Sequence, residues 1–100
     1  MIRHEVILRI RPEITRDRID RTLREIRILI RQIEGVEGVR TGANKASTYR
    51  HAMIVVDLAD ETALVRFQRH PLHARAVRVI ARMAESTAVG SYLVGSEQSR

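Results

Sequence analysis

The chain has 100 residues, which suits one domain with one hydrophobic core, and we predict a single domain over residues 1–100. It contains no cysteine, which excludes a disulfide framework and thiolate chemistry and fits a cytoplasmic protein. The formal net charge is +6, no apolar run approaches the roughly 20 residues of a membrane span, and residues 1–11 do not read as a signal or transit peptide.

The first half of the chain predicts a strand, a long helix and a weaker strand. In residues 2–10 apolar residues alternate with mostly charged ones, and His4 points the same way as the apolar set. Pro12 ends this strand, and Thr15 is the expected N-cap of an amphipathic helix. Residues 39–42 then form a short strand, followed by a polar connection.

The second half begins with the clearest strand of the chain. Residues 49–58 are apolar on both faces in the middle, so both faces of the sheet need a cover. The predicted helices can cover only one of them. A second copy of the same chain is the most economical cover for the other face, so we expect a homodimer.

Two helices and a last strand complete the pattern. Asp60 is expected to cap a short helix that runs to Arg69, and Pro71 breaks that helix. A third helix is predicted over 72–84 and a strand over 89–94. The order β-α-β-β-α-α-β predicts an α+β fold of the ferredoxin-like split βαβ type.

Two of the four histidines lie at the break between the last two helices. His73 stands at helical spacing from Ala76 and Ile80, so it should face the sheet, where burial would keep the imidazole neutral and able to accept a proton. The alternative is a core histidine bonded to a backbone carbonyl. His70 is expected to have a structural role in the turn before Pro71.

Five short segments of this chain, in this order and at these spacings, match the pattern of a known family. They are Met1-Ile2-Arg3-His4, Gly42-Ala43-Asn44, Tyr49-Arg50-His51-Ala52, Asp60-Glu61-Thr62-Ala63-Leu64 and His70-Pro71-Leu72-His73. In these segments the chain resembles the stress-responsive dimeric α/β-barrel (Dabb) domain family over almost its whole length.

The resemblance implies a ferredoxin-like protomer whose sheet packs on the sheet of a second protomer to form a dimeric α/β barrel. It also implies a small-molecule cavity between the sheet and the helices of each protomer. In the plant polyketide (olivetolic acid) cyclase of this family, the second histidine of the HPxH segment is the general base. A tyrosine on the preceding helix assists it, and histidines of the first and third strands line the cavity.

Carried onto this chain, the resemblance makes His73 the base and His4 and His51 the cavity histidines. Phe67 stands where the cyclase has its tyrosine, and phenylalanine can pack against a substrate but cannot transfer a proton. The expected catalytic residues are therefore His73, His51 and His4. The expected substrate contacts are Phe67, Tyr49, Met53 and Ile80.

Two functional hypotheses follow. The first is a cofactor-free, cyclase-type biosynthetic enzyme in which histidines carry out acid/base chemistry on a polyketide-like or carbonyl substrate. The second is a non-catalytic, stress-responsive or ligand-binding dimer with structural histidines. Genes for polyketide or other biosynthesis beside this one would favour the enzyme, and stress or housekeeping genes would favour the binder.

Other partners are disfavoured by the residue pattern. Three imidazoles could form a zinc site, but there is no i, i+4 pair of helical ligands and no acidic residue is an obvious second partner of a ligating histidine, so we expect no metal and no cofactor. RNA binding on a sheet needs exposed aromatic residues, and the chain has only three, so we expect no nucleic-acid partner. Arg75, Arg78 and Arg82 are typical of a solvated helix face, although they could attract an anionic ligand.

Overall fold

The structure is a computed structural model that describes residues 1–45 and 50–95. Its seven elements follow the predicted order: β1 (Ile2–Ile10), α1 (Arg16–Arg31), β2 (Val36–Ala43), β3 (His51–Leu58), α2 (Glu61–Arg69), α3 (Pro71–Ala81) and β4 (Ala84–Leu93). Tyr49, where the sequence predicts the third strand to begin, lies outside the described residues. Within the described ranges, no helix has the length and apolar character of a membrane span.

The four strands form one antiparallel sheet in the order β2-β3-β1-β4. Strand β3 lies between β1 and β2, the two strands that α1 connects, which is the split βαβ arrangement of the ferredoxin-like fold. The predicted α+β fold class is confirmed. The helices lie on one face of the sheet, and the core between them is built from aliphatic residues and Phe67.

Two strands are longer than the local sequence pattern predicts. The prediction ends the third helix at Ala84 and starts the last strand at Val89, but α3 ends at Ala81 and β4 begins at Ala84. Ala84 pairs with Ile10 across an irregularity in the β1–β4 register, and residues 84–88 lack apolar alternation because β4 is a largely exposed edge strand. Strand β2 likewise begins at Val36, three residues before the predicted start.

Gly35 allows the turn between α1 and β2 to pack against α2. Its φ is +96°, and a Cβ at this position would lie 2.9 Å from the Cβ of Ala63. The Gly35 carbonyl also accepts a hydrogen bond from the Ala59 N–H at 3.1 Å. A larger residue would be strained both by its backbone conformation and by the contact with α2.

His70 joins α2 to α3. Its backbone N–H donates to the Phe67 carbonyl at 3.2 Å, and its imidazole Nδ1 accepts from the Leu72 N–H at 3.0 Å. Pro71 occupies the first turn of α3, where its missing N–H leaves no hydrogen bond unmade. The ring of His70 is therefore the N-cap of α3, in agreement with the structural role that the sequence indicates.

We expect His70→Ala to lower the free energy of unfolding by about 1 kcal/mol, because the Leu72 N–H loses its acceptor. His70→Asn should retain most of the stability, since asparagine is a good N-cap. Urea denaturation followed by circular dichroism measures both variants. Equal midpoints for His70→Ala and the unsubstituted chain would contradict the capping role.

Candidate functional site

The register of the sheet determines which strand side chains face the helices. His4 of β1 pairs with Val56 of β3, and both are buried on the helix side. Arg9 pairs with His51, and these two side chains lie on the opposite, open face of the sheet. Residues of even number in β1 and β3 therefore face the helices, and residues of odd number face away.

A cavity of about 300 Å³ lies between the helix side of the sheet and the helices. Four of its lining side chains are polar, namely His4, Gln68, His73 and Thr87. The others are Val6, Ile30, Ile54, Val56, Phe67, Ala76, Val77, Ile80 and Val89. None of the described residues that line it is an aspartate, a glutamate, a lysine or an arginine. The cavity is therefore apolar with a few polar groups, which is typical of a small-molecule site.

Phe67 lies between the two histidines of the cavity. The centroid of its ring is 5.6 Å from that of His4 and 4.8 Å from that of His73, both in edge arrangements. Only 1% of Phe67 is exposed, so the ring holds its position against both imidazoles. The predicted site residues His4, Phe67, His73 and Ile80 are thus brought to one cavity.

Burial keeps both cavity histidines in their neutral form. It lowers the pKa of His4 and the pKa of His73, and a proton on His73 would lower the pKa of His4 further. At neutral pH the cavity therefore contains two uncharged imidazoles. Each can accept a proton, and protonation of one opposes protonation of the other.

Ser91 is a site residue that the sequence pattern does not reveal. It pairs with His4 across β1 and β4, and its Oγ lies 2.7 Å from His4 Nδ1. The serine hydroxyl can donate to Nδ1 or accept from it, so the bond fixes the ring while Nε2 remains available as acceptor or donor. Ser91 was missed because the register of this edge strand cannot be read from its unpatterned sequence.

The prediction that all three histidines line one cavity is wrong for His51. His51 and Met53 have odd numbers in β3 and lie on the open face, beside a concave surface that also includes Arg40 and Asn44. The neighbouring Ala52 points toward the helices and is buried. A shift of one residue changes the face on which a strand side chain lies, and both faces of β3 are apolar, so sequence alone did not fix the choice.

The open face combines an apolar strip with an ion-pair cluster. Arg3 donates two hydrogen bonds to Asp57, from Nε to Oδ1 at 2.8 Å and from Nη2 to Oδ2 at 3.2 Å. This pairing lowers the pKa of Asp57. Tyr92 lies opposite Arg3 and is exposed, and the apolar strip consists of Ile7 and Met53, which pair with each other farther along the strands and are also exposed. None of the helices in the described part of the chain covers this face.

Within residues 1–45 and 50–95, no three histidine or acidic side chains are grouped as metal ligands would be. The predicted substrate contact Tyr49 lies outside those ranges. The predicted contact Met53 is separated from the cavity by the sheet itself. The candidate site in the helix–sheet cavity therefore contains His4, Phe67 and His73, with Ser91 bonded to His4.

The family model described as the Stress responsive A/B Barrel Domain matches residues 2–93 of this chain. No match to a curated protein is found for the sequence. Among solved structures, a dimeric ferredoxin-like protein of unknown function from Thermobifida fusca is 26% identical, with a TM-score of 0.79, over 93% of this chain and 90% of that one.

Two further solved structures share the fold at lower identity. A protein from Arabidopsis thaliana is 14% identical with a TM-score of 0.83, over 98% of this chain and 99% of its own. The hydroxynitrile lyase from Passiflora edulis is 14% identical with a TM-score of 0.79, over 98% of this chain and 96% of its own. These two likenesses extend to the fold alone.

We expect His4 and His73 to titrate below the usual imidazole value of 6.5. The unfolded chain then binds more protons than the folded one, so the free energy of unfolding falls as the pH drops below 6.5 and levels off beneath the folded pKa. NMR titration of the histidine rings measures the pKa values directly. Urea denaturation at several pH values gives the free energy of unfolding, which should change less steeply with pH in His73→Gln than in the unsubstituted chain. A pKa at or above 6.5 for both rings would contradict this assignment.

Proposed function

This chain belongs to the stress responsive A/B barrel (Dabb) domain family, and we propose that it is a homodimeric protein with a small-molecule pocket in each protomer. The observation that carries the proposal is the pair of neutral imidazoles on either side of Phe67 in an apolar cavity. Such a cavity binds a compact organic ligand by apolar contact and orients it through a few polar groups.

The open face of the sheet supports the homodimer. Ile7 and Met53 are each 43% exposed at paired positions in the middle of this face, and Tyr92 is exposed near the Arg3–Asp57 pair. A twofold dimer would cover the apolar strip of each protomer with the same strip of the other. The similar protein from Thermobifida fusca is dimeric, which supports the same assembly here.

Within the pocket, we propose that His73 is a general base. It is neutral at pH 7 because burial lowers its pKa, and the cavity beside it holds room for a substrate carbon or hydroxyl. Removal of a proton next to a carbonyl group would give an enolate and an imidazolium at His73. The low polarity of the cavity would limit competing protonation by water.

His4 is proposed to hold the carbonyl oxygen of the substrate. When Ser91 donates to Nδ1, the Nε2 of His4 carries the hydrogen and can donate to a developing enolate oxygen. His51 has no such role, because the sheet lies between it and the cavity. The proposed chemistry therefore uses two histidines instead of three.

Phe67 limits how far the cyclase resemblance extends. A cyclase that relies on a tyrosine at this position has a phenol to donate or accept a proton, and Phe67 supplies only a ring edge. We therefore propose enolate chemistry on a carbonyl compound, of which a cyclase-type aldol closure in biosynthesis is one form. The structural likeness to a hydroxynitrile lyase is consistent with a catalytic use of this fold.

A non-catalytic binder is the second candidate, and one observation favours it. Phe67 packs against both imidazoles and Ser91 bonds to His4, so each histidine already has the contacts of a structural core residue. In that case the pocket would bind a ligand, for example in a stress response, without changing it.

The dimer proposal predicts that Met53→Glu weakens self-association, because a charge would be buried in the apolar strip. We expect the dimer dissociation constant to rise by at least about tenfold, as measured by analytical ultracentrifugation. Ile28→Glu is the matched control, since Ile28 is 51% exposed on α1, away from the sheet. Equal association in both variants would contradict an interface on the open face.

The base proposal predicts that His73→Gln loses catalysis of proton exchange. The probe is 4′-isopropylacetophenone, dissolved in D₂O. The protons of its acetyl methyl group exchange through the enolate, and their loss is followed by proton NMR. We expect the rate above background to fall about a hundredfold or more in His73→Gln. His51→Gln is the matched control and should keep the rate, since His51 lies on the other face of the sheet.

Two results separate the alternatives. Binding of the ketone without any exchange by the unsubstituted protein would favour the non-catalytic binder. Exchange that survives in His73→Gln would contradict the assignment of His73 as the base.

A further inference from the structure

The cavity differs in charge from the rest of the protein. The chain contains 18 lysines and arginines, and none of the described ones lines the cavity. The basic residues of α2 and α3, namely Arg66, Arg69, Arg75 and Arg78, are exposed. The donors that the described lining offers a ligand are therefore the two imidazoles, Gln68 and Thr87.

We propose that the site takes an uncharged carbonyl compound and rejects carboxylates and phosphates. This inference rests on the proposed small-molecule site and adds the chemical class of its substrate. A carboxylate moved from water into an apolar cavity loses its hydration, and no cation is present among the described lining residues to compensate for that loss. A ketone or an aldehyde loses far less, and one imidazole N–H satisfies its oxygen.

The imidazoles themselves cannot replace the missing cation at neutral pH. Both have pKa values lowered by burial, so a bound anion would meet a positive charge among these groups only if one of the imidazoles took up a proton. Binding of a carboxylate would then strengthen as the pH falls, whereas binding of a ketone would not. The cavity of about 300 Å³ lies at the lower end of the range for small-molecule sites, which favours a compact ligand over a bulky nucleotide-linked thioester.

The test uses two probes of nearly the same shape, 4′-isopropylacetophenone and 4-isopropylbenzoate. The ketone has a methyl group on its carbonyl carbon where the benzoate has a negatively charged oxygen. Each is titrated into the 100-residue protein at pH 8, and the ring signals of His4, Phe67 and His73 are followed by NMR. We expect the ketone to bind at least about tenfold more tightly than the benzoate. The difference in affinity between the two probes should become smaller as the pH is lowered toward 6.

A pair of variants tests the cause of this preference. Val77 lines the cavity and is 47% exposed, so Val77→Arg places a cation at its rim. Ala74→Arg adds the same charge to an exposed position of α3 that does not line the cavity. We expect Val77→Arg to tighten benzoate binding severalfold and Ala74→Arg to leave it unchanged. If the benzoate were attracted only by the higher net charge of the protein, both variants would bind it more tightly.

The outcomes distinguish this inference from the proposed function. Benzoate binding as tight as ketone binding at pH 8, with shifts at His4 and His73, would overturn the substrate class and leave the small-molecule site standing. The absence of shifts at these rings with both probes would contradict the site itself. Tighter ketone binding at these rings supports both.

Discussion

The pairing of β1 with β3 is the constraint on which the site depends. Because His4 lies opposite Val56, the histidine is directed into the space under the helices, and the next register along the strand would direct it to the open face. The same pairing buries a continuous aliphatic surface against α1 and α3, so the free energy that stabilises the sheet also fixes the histidine. The site is thus a by-product of the register that the core requires.

The two faces of the sheet have different chemistry for the same reason. On the helix side, the titratable residues that line the cavity are His4 and His73, and burial lowers the pKa of both imidazoles, which favours their neutral form. On the open side, Arg3 and Asp57 form an ion pair, and the hydrogen bond from Arg3 lowers the pKa of the Asp57 carboxyl. One face therefore has neutral polar groups in an apolar cavity, and the other has paired charges and exposed apolar side chains.

Much of the fold could be predicted from the sequence, because helical and strand periodicities report burial directly. The order of the elements and the positions of His4 and His73 were accessible in this way, and the break at Pro71 followed from the backbone restriction that proline imposes. The assignment of His51 was not, since β3 is apolar on both faces and only the backbone pairing decides which face meets the helices. Ser91 was missed for a related reason: it lies on an exposed edge strand whose residues carry no alternation, and its importance comes entirely from the residue opposite it.

The turn at His70 has a consequence for how this protein can vary. Phe67 and His73 lie three residues before and three residues after His70, on two helices that meet at this single residue. A residue added or removed within α2 between Phe67 and His70, or within α3 between His70 and His73, would turn that ring by about 100° about the axis of its own helix and carry it away from the cavity. The site should therefore accept substitutions along its walls far more readily than a change in the length of this segment. Insertions and deletions across the family would then be concentrated in the other connections of the chain.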